Sequence, residues 1–255
     1  MRFWRGRDGS GAAGRRPDAW EAIVDANVAM WNTLDDDEIL NAVEAMDVLL
    51  SKRWEAAQGF VITDEHRVTI AAQASILAIA LELSVFDDVP SIIVHPTTMR
   101  LTRPRAIGIG GNGGIGGIHA ETSTVVGVAH DRRGPVLLAW DASLRGCRQP
   151  EHGHNVVLHE FAHKLDLLDR VIDGTPILDA DLHNRWVRVC TAEFERLRSG
   201  AGSVLDRYGA TNPGEFFAVA TEAFFCRATR LRDEHPDLYG VLGEFYGQDP
   251  ARRAS

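Results

Sequence analysis

Cysteine is scarce in this chain. Cys147, Cys190 and Cys226 are its three cysteines, an odd number with no close-spaced pair. That argues against a disulfide framework and against a cysteine-held zinc cluster, and it fits a reducing cytoplasm. Any metal must then be held by nitrogen and oxygen. Long apolar runs are missing as well. The longest, residues 70–83, is interrupted by Gln73, Ser75 and Glu82, which suits a buried helix and falls short of a membrane span. Positive charge is in deficit: the formal net charge is -9, so the whole protein offers no electrostatic attraction to nucleic acid or to an anionic membrane. A secretory signal is not expected either, because the basic opening Met1-Arg2-Phe3-Trp4-Arg5-Gly6-Arg7 lacks a continuous apolar core. Residues 1–20 read as a flexible basic tail, and residues 21–250 as one domain. No internal repeat or further linker interrupts that domain, and its length suffices for a full core.

Apolar residues recur at three- and four-residue spacing over residues 20–34, 36–58 and 63–83, which predicts helices. Thr63, followed by Asp64 and Glu65, is a suitable N-cap with acids in the first turn. The middle of the chain changes character. Residues 91–95, 124–128 and 135–140 are short, β-branched runs bounded by Pro, Gly or Asp, as strands are. Between them, residues 108–117 hold a glycine-rich run that opens with the letters of a dinucleotide-binding loop. The glycines continue and no helix pattern follows, so a loop beside the sheet is the better reading. Helices return over residues 155–168, 181–197, 212–227 and 231–246. The expected class is α+β, with a small mixed sheet between helical layers.

His159-Glu160-Phe161-Ala162-His163 is the stretch that carries chemistry. On a helix, histidines four residues apart share a face and can grip a zinc ion, while the glutamate between them reaches a water on that ion. Zinc acidifies its water and polarises a carbonyl, and the glutamate moves the proton, which is the machinery of peptide-bond hydrolysis. A catalytic zinc wants a third protein ligand and an open position. Downstream, Asn212 and Pro213 read as the start of a helix, with Glu215 in its first turn among Phe216, Phe217, Val219 and Ala220. A carboxylate amid such neighbours needs a partner. Glu222, two turns on along the same face, is either an orienting partner for a liganded histidine or a rival third ligand. Tyr208 could donate to an oxyanion, and Asp166 could orient a ligand histidine. His152, His154, His183, His119 and His130 read as surface or entry-loop residues.

These segments resemble the Mlc titration factor A family, bacterial glucose-regulated zinc metallopeptidases related in their active-site region to the anthrax lethal factor protease domain. The likeness rests on Asn155-Val156-Val157-Leu158 leading into His159-Glu160-Phe161-Ala162-His163-Lys164-Leu165-Asp166, and on Tyr208-Gly209-Ala210-Thr211-Asn212-Pro213-Gly214-Glu215-Phe216-Phe217. Residues 134–141 and His235-Pro236-Asp237-Leu238-Tyr239 extend it, so that it covers roughly residues 35–250. The resemblance implies a zincin-like metallopeptidase domain. It implies Zn2+ held by His159, His163 and Glu215, with Glu160 as general base and Tyr208 as the active-site tyrosine seven residues before the ligand glutamate. It further implies a peptide or protein substrate, in an aminopeptidase or short-peptide hydrolase. A regulator that titrates a sugar-responsive transcriptional repressor is the alternative. Lys164 follows the second histidine directly, and Gly214 stands where alanine is commoner. The glycine-rich stretch and the strand after it look longer and looser than usual, which bears on substrate preference, because in such peptidases an edge strand binds the substrate backbone.

Overall fold

The computed structural model describes residues 16–57, 59–97, 99–103, 121–125, 127–128, 134–201 and 203–253. Residues 1–15 of the expected tail and the glycine-rich run 108–117 lie outside them. Helix α1 (Trp20–Asn27) passes through a 3-10 turn (Ala29–Thr33) into α2 (Asp36–Leu50), which Asp35 starts by accepting the Glu38 amide at 2.9 Å. The helix expected over residues 36–58 ends at Leu50. Its last part is instead a strand, β1 (Arg53–Ala56). Those four residues pair in parallel with β2 (Ser91–His95), Trp54 opposite Ile92, and this tertiary pairing overrides the local helical spacing.

Helix α3 (Asp64–Ser75) is buried from Val68 to Ser75 and tightens into a 3-10 turn (Ile76–Ala78). Strands β3 (Met99–Arg103) and β4 (Glu121–Val125) form an antiparallel pair of their own. Next come β5 (Gly127–Val128) and β6 (Val136–Ala139). The main sheet has the order β1-β2-β6-β5, with the first three strands parallel and β5 antiparallel at the edge. The strand expected through residue 140 stops at Ala139, because Trp140 opens a helix, α4 (Trp140–Arg148), whose Asp141 accepts the Ala142 amide at 2.8 Å.

Helix α5 (Val156–Asp166) follows, then α6 (Ala180–Arg198) and α7 (Pro213–Cys226). The helix expected over residues 231–246 is two helices, α8 (Ala228–Glu234) and α9 (Pro236–Tyr246), before a last turn, α10 (Pro250–Arg253). Pro236 cannot continue α8 and pushes His235 out of helical geometry, to φ -137° and ψ 62°. Among the described residues, no helix is long and apolar enough to cross a membrane.

A single apolar cluster connects α2, α3, the parallel strands and the helices from α5 onward. Helix α5 lies at its centre, packed against β6, α3 and α7, with the ring edge of Phe86 against Phe161 at 5.7 Å. Helix α7 is apolar around almost its whole circumference and accordingly buried from Gly214 to Phe225. This is an α+β, zincin-like architecture: a small mixed sheet, one central helix carrying His159-Glu160-Phe161-Ala162-His163, and helices packed around it.

Candidate active site

Two well-capped helices meet at the site. Asn155 starts α5 by accepting the Leu158 amide at 3.2 Å, and Asn212 starts α7 by accepting the Glu215 amide at 2.9 Å. Pro213 takes the first position of α7, where no amide hydrogen is needed. The two helices pack closely, so the first turn of α7 comes to rest against the histidine face of α5.

Three atoms converge there. His159 Nε2 lies 3.1 Å from Glu215 Oε2 and 3.2 Å from His163 Nε2, and His163 Nε2 lies 3.4 Å from Glu215 Oε2. Donors about 2.0–2.2 Å from a tetrahedral zinc stand roughly 3.3–3.6 Å apart. The triangle therefore matches one face of such a tetrahedron to within a few tenths of an ångström. Two imidazoles and a carboxylate are also a donor set suited to zinc. Among the described residues, this trio is the one group of three or more ligating side chains that could hold a metal ion.

The electrostatics favour a cation. Burial would lower the His159 pKa, but hydrogen bonds to Glu215 and Glu222 outweigh it and hold the pKa well above the ordinary imidazole range. Burial would raise the Glu215 pKa, yet hydrogen bonds from His159 and His163 keep it far below the usual carboxylate value. Glu222 stands behind the triangle and outside it. Its Oε1 accepts from His159 Nδ1 at 2.8 Å, and its Oε2 accepts the Asn155 amide at 2.5 Å. A carboxylate only accepts, so Nδ1 keeps its proton, and Nε2 is the nitrogen that would give up its proton to present a lone pair to a metal in the triangle.

Glu160 is buried beside these groups, and its Oε2 has no hydrogen-bond partner among the described residues. Burial, reinforced by Glu215 and Glu222 and opposed by His159, pushes its pKa up to about 8. Tyr208 sits at the mouth, 55% exposed, in a 3-10 turn (Arg207–Ala210) that Asp206 caps, and its hydroxyl donates to Glu215 Oε1 at 3.2 Å. Burial of the phenol end and the nearby Glu215 carboxylate push its pKa up to about 12, so it stays a donor.

All five residues singled out by motif and resemblance, His159, Glu160, His163, Tyr208 and Glu215, thus meet in one place. Asp166 has a different job from the one considered for it: its Oδ2 accepts the Gly174 amide at 3.0 Å and anchors the loop after α5. Lys164 turns away and donates to the Gly134 carbonyl at 2.8 Å, just before β6. A Cβ on Gly214 would come within 2.5 Å of Ile172 Cγ2, so glycine there serves close packing. His154 and His183 are exposed, and His152 is exposed in the turn before α5.

One partly buried network was not anticipated from the sequence. His235 Nδ1 donates to Glu193 Oε2 at 2.7 Å, while its Nε2 accepts from Ser203 Oγ at 2.9 Å. Ser203 Oγ also accepts the Leu205 amide, which fixes the segment leading into Tyr208. Of the three positions only His235 falls in a segment that carried the resemblance, and nothing there linked it to Glu193 or Ser203.

Comparison with known proteins identifies the family of the chain. The chain is 33% identical over 243 residues to an uncharacterized protein of Synechocystis sp., covering 92% of this chain and 85% of the relative. It is 28% identical over 228 residues to Mlc titration factor A of Edwardsiella ictaluri, covering 86% and 84% of the two chains. It is 29% identical to Mlc titration factor A of Klebsiella pneumoniae (strain 342), covering 98% and 92%. The model of the glucose-regulated metallo-peptidase M90 family matches residues 1–247, and the chain belongs to that family of metallopeptidases.

Proposed function

We propose that this chain is a zinc-dependent peptidase, an aminopeptidase or short-peptide hydrolase, with residues 21–250 as its catalytic unit. His159, His163 and Glu215 hold the zinc, which when bound would supply Lewis-acid activation of water and of the scissile carbonyl. The observation that carries this reading is the triangle of ligand atoms with sides of 3.1, 3.2 and 3.4 Å. Glu160 acts as general base, taking the proton from the attacking water and returning it to the leaving amine. Its buried Oε2, without a hydrogen-bond partner among the described residues, supports that role. Tyr208 donates its O–H to the oxygen on which negative charge develops. Glu222 keeps His159 in the tautomer whose Nε2 can ligate. A cytoplasmic location belongs to the same proposal, supported by three free thiols.

Metal analysis and hydrolysis of chromogenic amino-acid and short-peptide substrates test it. Glu160→Gln should keep its zinc and lose about 10²–10⁴-fold in turnover. A zinc-loaded protein inactive on every peptide offered would favour the second reading. In that reading the protein binds and titrates a sugar-responsive transcriptional repressor and hydrolysis is secondary. Its support is the name, Mlc titration factor A, carried by several relatives. A binding function alone, however, gives no reason for so complete a catalytic constellation.

A further inference from the structure

A second concavity lies on the side of α7 turned away from the ligand atoms. A helix turns about 100° per residue, so Phe216 and Pro213 stand roughly 100° and 200° around α7 from Glu215. Both line this cavity, whose other walls come from the loop 173–178 and from α6. Its volume is about 590 Å³, inside the roughly 300–1,000 Å³ range of ligand pockets. The interior is apolar, formed by Trp186, Phe194, Phe216 and Leu178, and the apolar surface continues outward. Ile177 is 62% exposed and Val187 44%, and Val171 and Ile172 are exposed on the same loop. Large exposed apolar side chains at the edge of a concavity, here Ile177 and Val187, mark an interaction site.

The wall is held in place before anything binds. Gly174, with φ +75°, gives its amide to Asp166 and receives the Trp186 indole N–H on its carbonyl at 2.9 Å. It packs so tightly on Pro213 that a Cβ there would lie 2.3 Å from the Pro213 carbonyl oxygen. A pocket fixed in this way avoids much of the ordering cost of binding. Its charge has one sign. Asp169 and Asp173 line it, the one basic side chain beside them is His183, and no Lys or Arg lines it. Residues 169–181 contain four aspartates and one arginine, a formal charge of -3 from -4 and +1, on a protein of net charge -9.

We propose that this pocket is an exosite for polypeptide, taking a bulky apolar side chain flanked by basic residues and holding the bound chain apart from the metal ligands. The apolar interior receives the side chain and the aspartates at the rim receive the cationic neighbours. The site does not depend on the peptidase reading, because none of its lining residues is a proposed ligand, base or oxyanion donor.

The test uses two blocked pentapeptides, acetyl-Gly-Arg-Leu-Arg-Gly-amide and its charge-reversed counterpart with glutamates for arginines. Each is titrated into full-length Glu160→Gln protein, zinc-loaded and after chelation, and followed by amide chemical shifts. The arginine peptide should shift residues 173–178 and 186–194, with the same affinity with and without metal, and the glutamate peptide should bind about tenfold more weakly. Asp173→Asn, and separately Ile177→Ala with Val187→Ala, should each weaken the arginine peptide several-fold while circular dichroism stays unchanged. Three results would each overturn the proposal: equal binding of both peptides, no shifts at millimolar peptide, or shifts that centre on His159 to His163 and vanish with the metal. Loss of zinc or of hydrolysis would bear on the proposed function and leave this outcome untouched.

Discussion

Replacing Glu222 with glutamine alters the shape of the site hardly at all and its proton arrangement decisively. The Glu222 carboxylate accepts twice, from the buried Asn155 amide and from His159 Nδ1. Glutamine can accept at one end only. The Asn155 amide hydrogen is fixed on the backbone, so the side-chain oxygen stays there and the NH2 group turns to His159. Nδ1 must then accept, and the imidazole proton moves to Nε2, the atom 3.1 Å from Glu215 and 3.2 Å from His163. Metal binding has to reverse that tautomer and orphan the amide hydrogens. Loss of such an orienting partner costs about 10–100-fold in metal affinity, or roughly 1.4–2.7 kcal/mol. Competition of wild type and Glu222→Gln with a fluorescent chelator measures the difference directly, with circular dichroism to match the folds. Zinc affinities within about twofold of each other would refute the tautomer argument.

Tyr208→Phe should retain zinc and lose about 10²–10³-fold in kcat, the usual cost of one oxyanion donor; steady-state kinetics and metal content check it, and an unchanged kcat would remove Tyr208 from the chemistry. Asp166 sets a pH-dependent stability. Burial raises its folded pKa to about 7, while the Gly174 amide opposes the shift. A carboxyl with a raised folded pKa contributes stability fully below about pH 4, its unfolded range, and loses it as pH rises through 7. Asp166→Asn keeps an acceptor for Gly174 and cannot ionise. It should match wild type near pH 4 and exceed it by up to about 4 kcal/mol at pH 8. Denaturant melts at both pH values test this, and parallel profiles for the two proteins would contradict it.

The sequence made the local parts of the site readable and left its long-range parts open. His159, Glu160 and His163 lie within one helical turn, so their shared face follows from helix geometry alone. Glu215 was marked by its apolar surroundings, but spacing could not separate it from Glu222, because both lie on the same face of α7. The family resemblance favoured Glu215, and the packing of α7 on α5 gives the physical difference: Glu215 closes the triangle, and Glu222 reaches the far side of the same imidazole. The His235, Glu193 and Ser203 network is invisible for the same reason, since three distant positions meet only in the fold.

The errors in secondary structure have similar causes. Arg53–Ala56 lacks β-branched residues and continues a helical spacing, so its strand character depends on Ser91–His95 as a partner. The break at Pro236 was written in the chain, yet apolar periodicity on both sides concealed it. Helix α4 was obscured because the apolar run of β6 continues into Trp140.

The central claim is that His159, His163 and Glu215 together hold one zinc ion. Anomalous diffraction at the zinc edge from zinc-loaded crystals tests it most directly. One peak is expected, within about 2.0–2.2 Å of His159 Nε2, His163 Nε2 and a Glu215 carboxylate oxygen, with Glu222 still on His159 Nδ1. A peak coordinated by Glu222 in place of Glu215, or no peak between the two histidines, would contradict it.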